Sequence, residues 1–376
     1  MATAQLTGHA TIYSIMKILY DARYIRPDFH DGISRYTTEL ANALAKITPL
    51  TFIISSYDQL PLLPKDCQFI KIHHPISPKE PFTSLILNKY KPDLVFSPLH
   101  TMGTLGRKFK VILTSHDMIY AHHHEPPLDL TNKLVRVGWR LYYQTNIPQR
   151  LVLNTADMVN TVSESAKKEF IAAHLTKRPI LVTPNAPKPL QDLLPNLPDV
   201  SKHKPRNIVY MGAFIAYKNV ETLIKGMEYL PDYTLHLLSH LPPPERYDEL
   251  AKLIPKAAKV IWHKGVSDQQ YADILAYNAI LASASLDEGF GLPVVEAQTL
   301  GVPTVLTDMP VFHEVAGDGA LFFDPYDPRD YADKVKQLDD DDLRVKLSHA
   351  GKKHVSQYSW DASAKTLLSA ITSLLQ

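Results

Sequence analysis

The sequence predicts an α/β protein made of two doubly wound domains. Short apolar runs alternate with helix-spaced segments through both halves, which is the pattern of parallel sheets covered by helices. A proline-rich stretch separates the halves: Pro184, Pro187, Pro189, Pro195, Pro198 and Pro205 fall within residues 184–206. A chain of 376 residues is long enough for two cores of ordinary size. The expected organisation is a first domain over residues 1–187, a linker at 188–206, and a second domain over 207–359. A final helix at about 360–376 crosses back to the first domain.

In the first half, buried strands are expected at residues 17–21, 50–55, 69–72, 93–97, 110–114, 158–162 and 180–182. Each is an apolar run of strand length. A loop at 25–34 precedes a helix set by the spacing of Tyr36, Leu40, Leu44 and Ile47. The strand at 110–114 runs into Ser115, His116 and Asp117, a site where open α/β sheets bind ligands. Residues 133–150 are basic and aromatic. Leu134, Val137, Leu141 and Ile147 are spaced to face a core, while Arg136, Trp139 and Arg140 read first as the charged face of a domain helix and otherwise suit a membrane surface or an anionic acceptor. His122, His123 and His124 are adjacent, cannot easily converge on one metal ion, and read as a solvated loop.

In the second half, strands are expected at 207–211, 233–238, 259–262, 279–284, 304–307 and 320–323. Gly212 ends the first of these, and Lys218 and Asn219 precede a helix. Residues 327–349 read as one helix, broken or jogged near the acidic run 339–342. Residues 283–303, SASLDEGFGLPVVEAQTLGVP, combine a strand end, a loop with Gly289 and Gly291, and a helix opening near Pro293. Free backbone N–H groups at such a helix start, with the dipole, suit an anion. Glu288 and Glu296 bracket the loop, and carboxylates accept hydrogen bonds from sugar hydroxyls.

Composition narrows the function classes. Lys and Arg number 40 against 39 Asp and Glu, so nothing points to a nucleic-acid partner. The single cysteine, Cys67, supports neither a disulfide framework nor a multi-cysteine metal site, and fits a reduced cytoplasmic setting. No apolar run approaches the length of a membrane span. Residues 1–15 lack a signal peptide's features and read as a tail.

The string EGFGLPVVE at 288–296 resembles the E-x7-E segment of the retaining nucleotide-sugar glycosyltransferases of family four, which have the GT-B fold. DGISRYTTELANAL at 31–44 resembles that family's glycine loop after strand one. Asp21-Ala22-Arg23 is similar to a subgroup rich in mannosyltransferases. The resemblance implies two Rossmann-like domains facing a cleft. It implies that Glu288 lies at the donor sugar, Glu296 at the ribose, Lys218 at the diphosphate, and Gly265 and Val266 under the base. It implies donor contacts from Gly289, Phe290, Gly291 and Leu292, a close backbone approach at Gly32, and His116 beside the sugar. Many relatives carry Arg directly after the glycine where this chain has Ala213. The implied reaction is metal-independent, needs no cofactor, and moves a hexose from a nucleotide-diphosphate sugar, with GDP-mannose favoured, to a glycan or lipid-linked acceptor. Peripheral contact with the inner face of the membrane goes with such an acceptor. Two alternatives remain open: a phosphorolytic or sucrose-type enzyme on the same fold, and an inactive sugar-nucleotide-binding protein.

Overall fold

The computed structural model describes residues 16–28, 31–124, 133–197, 199 and 204–376, so the expected tail at 1–15 and the Leu134 side chain lie outside it. The chain divides into two compact units. The first takes the chain as far as Asn185 together with Ser359–Gln376; the second is Ala186–Tyr358.

The first unit holds strands β1 (Ile18–Asp21), β2 (Thr51–Ile54), β3 (Gln68–Lys71), β4 (Leu94–Ser97), β5 (Lys110–Thr114), β6 (Met158–Thr161) and β7 (Ile180–Val182). They form one sheet in the order β3-β2-β1-β4-β5-β6-β7, and every pairing is parallel. The central strands β1, β4 and β5 are largely buried on both faces, which is why they read as apolar runs rather than alternating ones. The order reverses between β1 and β4, and the carboxyl ends of these two strands flank the crevice that such sheets offer a ligand.

Its helices are α1 (Gly32–Ala45), α2 (Thr83–Leu87), α3 (Ile119–His122), α4 (Lys133–Tyr143), α5 (Ile147–Leu153) and α6 (Glu164–Ala172). Helix α1 starts earlier than its apolar spacing requires, because Asp31 caps it by accepting from the Ser34 amide at 2.8 Å. Asp21-Ala22-Arg23 serves the fold. The Arg23 guanidinium is 1% exposed and is clamped between Asp21 at 2.8 Å and Glu80 at 2.7 Å. Gln59 donates to the carbonyls of Arg23 and Ile25, fixing the loop that leaves β1.

Two expectations for this unit need correction. Val137, Leu141 and Ile147 do not face the core; they are 54%, 64% and 58% exposed. Helical spacing shows that a helix has an apolar side, not that the protein covers that side. Residues 133–150 carry two helices, α4 and α5. His122 ends α3 and lies 3.0 Å from Glu169, so the adjacent histidines are not simply a solvated loop.

The second unit holds β8 (Asn207–Tyr210), β9 (Thr234–Leu237), β10 (Lys259–Trp262), β11 (Ala279–Ser283), β12 (Thr304–Thr307) and β13 (Ala320–Phe323). Their order is β10-β9-β8-β11-β12-β13, again all parallel, with the reversal between β8 and β11. Helices α7 (Val220–Gly226), α8 (Pro244–Lys252), α9 (Asp268–Ala276), α10 (Leu292–Thr299), α11 (Pro310–Ala316), α12 (Pro328–Gln337) and α13 (Asp341–Val355) cover it. The core includes Ile208, Leu223, Leu235, Ile280 and Val305.

Part of the expected linker is folded onto this unit. Leu190 is buried in a one-turn helix, Leu190–Leu193, whose last carbonyl accepts from Gln269 at 3.1 Å. The acidic run ends one helix and starts another: Asp340 caps α13 by accepting from the Leu343 amide at 2.9 Å. Helix α14 (Trp360–Leu375) belongs to the first unit, where it packs along α1. Ser363 donates to the Pro184 carbonyl at 2.7 Å, and Trp360 meets Tyr36 edge-on.

Candidate functional site

Lys218 and Glu288 come together at the reversal point of the second sheet. Lys218 follows β8 in the one-turn helix Ala216–Lys218, which closes with Asn219 at φ +47°. The Asn219 amide side chain donates to the Pro325 carbonyl at 2.7 Å and pins that turn. Glu288 follows β11. The Leu286 amide donates to the Tyr217 carbonyl at 2.7 Å, so the two loops are tied by backbone as well. The Lys218 ammonium donates to Glu288 Oε1, and Ser285 Oγ donates to the same oxygen at 3.1 Å. Both side chains are mostly shielded, at 16% and 15% exposure. A charge-assisted contact in such surroundings is stronger than a fully solvated ion pair.

The glycine loop then delivers the chain to α10. Gly291 stands at φ +95°, and a Cβ there would lie 3.0 Å from the Phe312 ring, so the position requires glycine on two counts. No side chain caps α10, Pro293 occupies its first turn, and the Val294 amide donates to the Gly291 carbonyl at 3.0 Å, which leaves the Leu292 amide at the helix start as the group to meet a ligand or water. Phe290 is buried edge-on against Tyr358, with ring centres 5.2 Å apart. Its side chain is therefore committed to packing, and any donor contact from it comes through backbone. Leu292 is half-buried and Gly289 is buried. Glu296 lies in the second turn of α10 and is only 3% exposed.

Gly265 stands at φ +99° after Lys264 at φ +62°. A Cβ on Gly265 would come within 2.5 Å of the His240 ring, so this turn also demands glycine. Val266 beside it is half-buried. At Ala213 the carbonyl accepts from Tyr210 at 2.7 Å. Arg246 approaches the same loop, donating to the Phe214 carbonyl at 2.9 Å, but it is paired with Glu221 and Glu249. It brings a guanidinium near the loop without a net positive charge.

In the first unit, Gly32 opens α1, and a Cβ there would meet nothing within 4 Å, so the backbone is open to approach. His116 follows β5. Its Nε2 lies 2.9 Å from the Pro98 carbonyl, and its ring stands edge-on to Tyr36 at 4.9 Å. Tyr36 is held in turn by Thr183 and Asn160, each at 2.7 Å. Burial lowers the His116 pKa to about 4, against opposing pulls from the Pro98 carbonyl and Asp31. A neutral imidazole facing a carbonyl must carry its proton on Nε2, leaving Nδ1 as an acceptor. Asp117 caps α3 by accepting from the Ile119 amide at 3.0 Å.

One residue that sequence reasoning missed lies beside His116. His100, after β4, is 7% exposed, and neither ring nitrogen has a hydrogen-bond partner among the described residues. Burial, with repulsion from His116 whenever both rings are protonated, lowers its pKa to about 4. A lone histidine in a loop gives no sequence signal. Among the described residues, no cluster of three His, Cys, Asp or Glu could hold a metal ion, and no helix is long and apolar enough to cross a membrane.

Residues 30–186 match the family described as Glycosyltransferase Family 4, and residues 198–354 match Glycosyl transferases group 1. A D-inositol 3-phosphate glycosyltransferase from Corynebacterium urealyticum is 27% identical over 61% of this chain and 59% of its own length. O-antigen chain mannosyltransferase B from Escherichia coli is 27% identical over 56% of this chain and 58% of its own. The chain thus spans less than two thirds of these curated relatives. Among solved structures, sucrose-phosphate synthase from Thermosynechococcus elongatus superposes with a TM-score of 0.72 at 17% identity, covering 96% of this chain and 99% of that one. Anabaena HepE, solved with UDP-glucose, superposes at 0.68 and 15% identity, covering 95% and 100%. At such identities the likeness speaks for the fold.

Proposed function

This chain belongs to the glycosyltransferases of family four and has their GT-B fold, and we propose that it is a retaining hexosyltransferase using a nucleotide-diphosphate sugar. The observation that carries the reading is the Lys218–Glu288 pair at the reversal between β8 and β11, beside the uncapped start of α10. An open α/β sheet binds ligands there. In this reading Lys218 and the α10 amides meet the diphosphate, so the reaction needs no metal and no cofactor. Glu288 accepts from hydroxyls of the transferred sugar, and Glu296 accepts from the ribose. Gly265 and Val266 run under the base. Gly289, Phe290, Gly291 and Leu292 contribute backbone. In the first unit, the neutral Nδ1 of His116 is the acceptor for a saccharide hydroxyl. Catalysis then rests on stabilising the departing diphosphate and holding the acceptor in line.

GDP-mannose is the favoured donor. The likeness to O-antigen chain mannosyltransferase B supports mannose, and HepE, solved with UDP-glucose, supports a nucleotide sugar in general. The acceptor in this reading is a glycan or lipid-linked saccharide at the inner face of the membrane. The surface of α4 and α5 supports that placement. Val137, Leu141, Ile147 and Leu151 are exposed there, and residues 133–150 hold Lys133, Arg136, Arg140 and Arg150 with no acid.

Thermal-shift titration with GDP, UDP and ADP and their hexose conjugates tests the reading. GDP and GDP-mannose should raise the melting temperature most, and transfer or slow hydrolysis of GDP-mannose should persist in EDTA. No stabilisation by any nucleotide would refute a donor site.

A further inference from the structure

The first sheet reverses between β1 and β4, so its ligand crevice opens between the loops that follow those strands. The loop after β4 begins at Pro98 and carries residues 98–101. It is held by Ser97 Oγ, which donates to the Leu99 carbonyl at 2.7 Å, and by Thr101, whose hydroxyl lies 2.9 Å from Tyr24 of the loop after β1. The Pro98 carbonyl in the same loop orients His116. One side chain of this well-anchored loop is left over. His100 is 7% exposed with both ring nitrogens unpartnered among the described residues.

Buried polar atoms nearly always have partners, and one left without costs about 1–3 kcal/mol. Leaving two such atoms on one ring calls for an occupant of matching chemistry. His100 is held neutral by burial and by the neighbouring His116. A neutral imidazole offers one donor and one acceptor, and a hydroxyl answers with one of each. A metal ion fits less well, since no third ligand joins the two histidines among the described residues.

We propose that His100 is a hydroxyl-binding residue at the β1–β4 crevice of the first unit, taking a saccharide hydroxyl next to the one assigned to His116. The inference deepens the glycosyltransferase reading and rests on it for the identity of the saccharide. The hydroxyl can come from the transferred hexose or from the acceptor, and the chemistry is the same.

The test uses the full chain labelled with nitrogen-15 at histidine. Methyl α-D-mannopyranoside and GDP-mannose are titrated separately, with GDP and zinc as controls. His100 ring resonances should move with a saccharide and not with GDP. Movement with the mannoside assigns the acceptor as source; movement with GDP-mannose alone assigns the donor sugar. His100→Leu should fold with an equal or higher melting temperature, since it removes two unpaired polar atoms. Its transfer kcat/KM should fall by about tenfold or more, the cost of one hydrogen bond of about 1.4 kcal/mol. His100→Asn, which restores a donor and an acceptor, should recover part of the loss. GDP affinity should stay unchanged throughout.

Unmoved His100 resonances with either saccharide, or wild-type transfer by a stable His100→Leu protein, overturn the proposal. A response to micromolar zinc in place of saccharide overturns it in favour of a metal. If no nucleotide sugar is turned over but His100 still responds to the mannoside, the transfer reading fails and the subsite stands.

Discussion

Replacing Lys218 by Ala probes the donor site most sharply. The ammonium has two tasks in the proposed scheme. In the free protein it neutralises Glu288, which among the described residues keeps Ser285 at 3.1 Å once Lys218 is gone. With donor bound it faces the diphosphate. Losing a charge-assisted hydrogen bond costs about 1.5–3 kcal/mol, a fall of about tenfold to a hundredfold in GDP affinity. An unneutralised Glu288 adds repulsion of the same sign, so the upper part of that range is expected. Guanosine, which lacks the diphosphate, should bind as before. Glu288→Gln makes the complementary case. It frees Lys218 and removes a negative charge, so GDP should bind as well or better while transfer collapses. Calorimetric titration of GDP and guanosine against the three proteins, with melting temperatures on the same preparations, decides the matter. Unchanged GDP affinity in a stable Lys218→Ala protein would refute the assignment.

Other consequences are equally direct. Gly291→Ala places a Cβ 3.0 Å from the Phe312 ring at φ +95°, and should lower stability by about 1–3 kcal/mol, read as a loss in melting temperature. Glu296→Ala should weaken binding of GDP but not of its 2′,3′-dideoxy counterpart; equal losses would remove Glu296 from the ribose. His116→Ala should cut transfer by about a hundredfold while GDP affinity stays within about threefold; normal turnover would leave His116 a packing residue. Burial holds His116 and His100 at pKa values of about 4, below the ordinary histidine value, so the unfolded chain binds protons that the folded one refuses. Stability should therefore be full above about pH 6.5 and fall as pH drops toward 4, with a shallower fall in His100→Leu. A slope unaltered by that substitution would deny His100 its part in it.

Much of the fold is legible in the sequence because strands buried on both faces become apolar runs, as in Val111, Ile112 and Leu113 of β5. The Lys218 and Glu288 loops are legible for another reason. Gly291 and Pro293 are fixed by backbone geometry, and that survives in the sequence as a string. Helix α8 is not legible, since it opens on Pro243 and Pro244 and buries little besides Leu250. The exposed side of α4 misleads because spacing cannot report what covers it. Asp21-Ala22-Arg23 carries a family likeness, yet its physical work is the buried pairing of Arg23 with Asp21 and Glu80. His100 leaves no trace in sequence, because an unpartnered side chain is a property of the folded neighbourhood.

A retaining transferase keeps the donor's anomeric configuration in its product. Proton NMR of the mannoside formed from GDP-α-mannose reads that configuration. An α-linked product should be the first to appear, in EDTA as in magnesium. A β-linked first product would contradict retaining transfer, as would no turnover of any sugar nucleotide by a folded, nucleotide-binding protein.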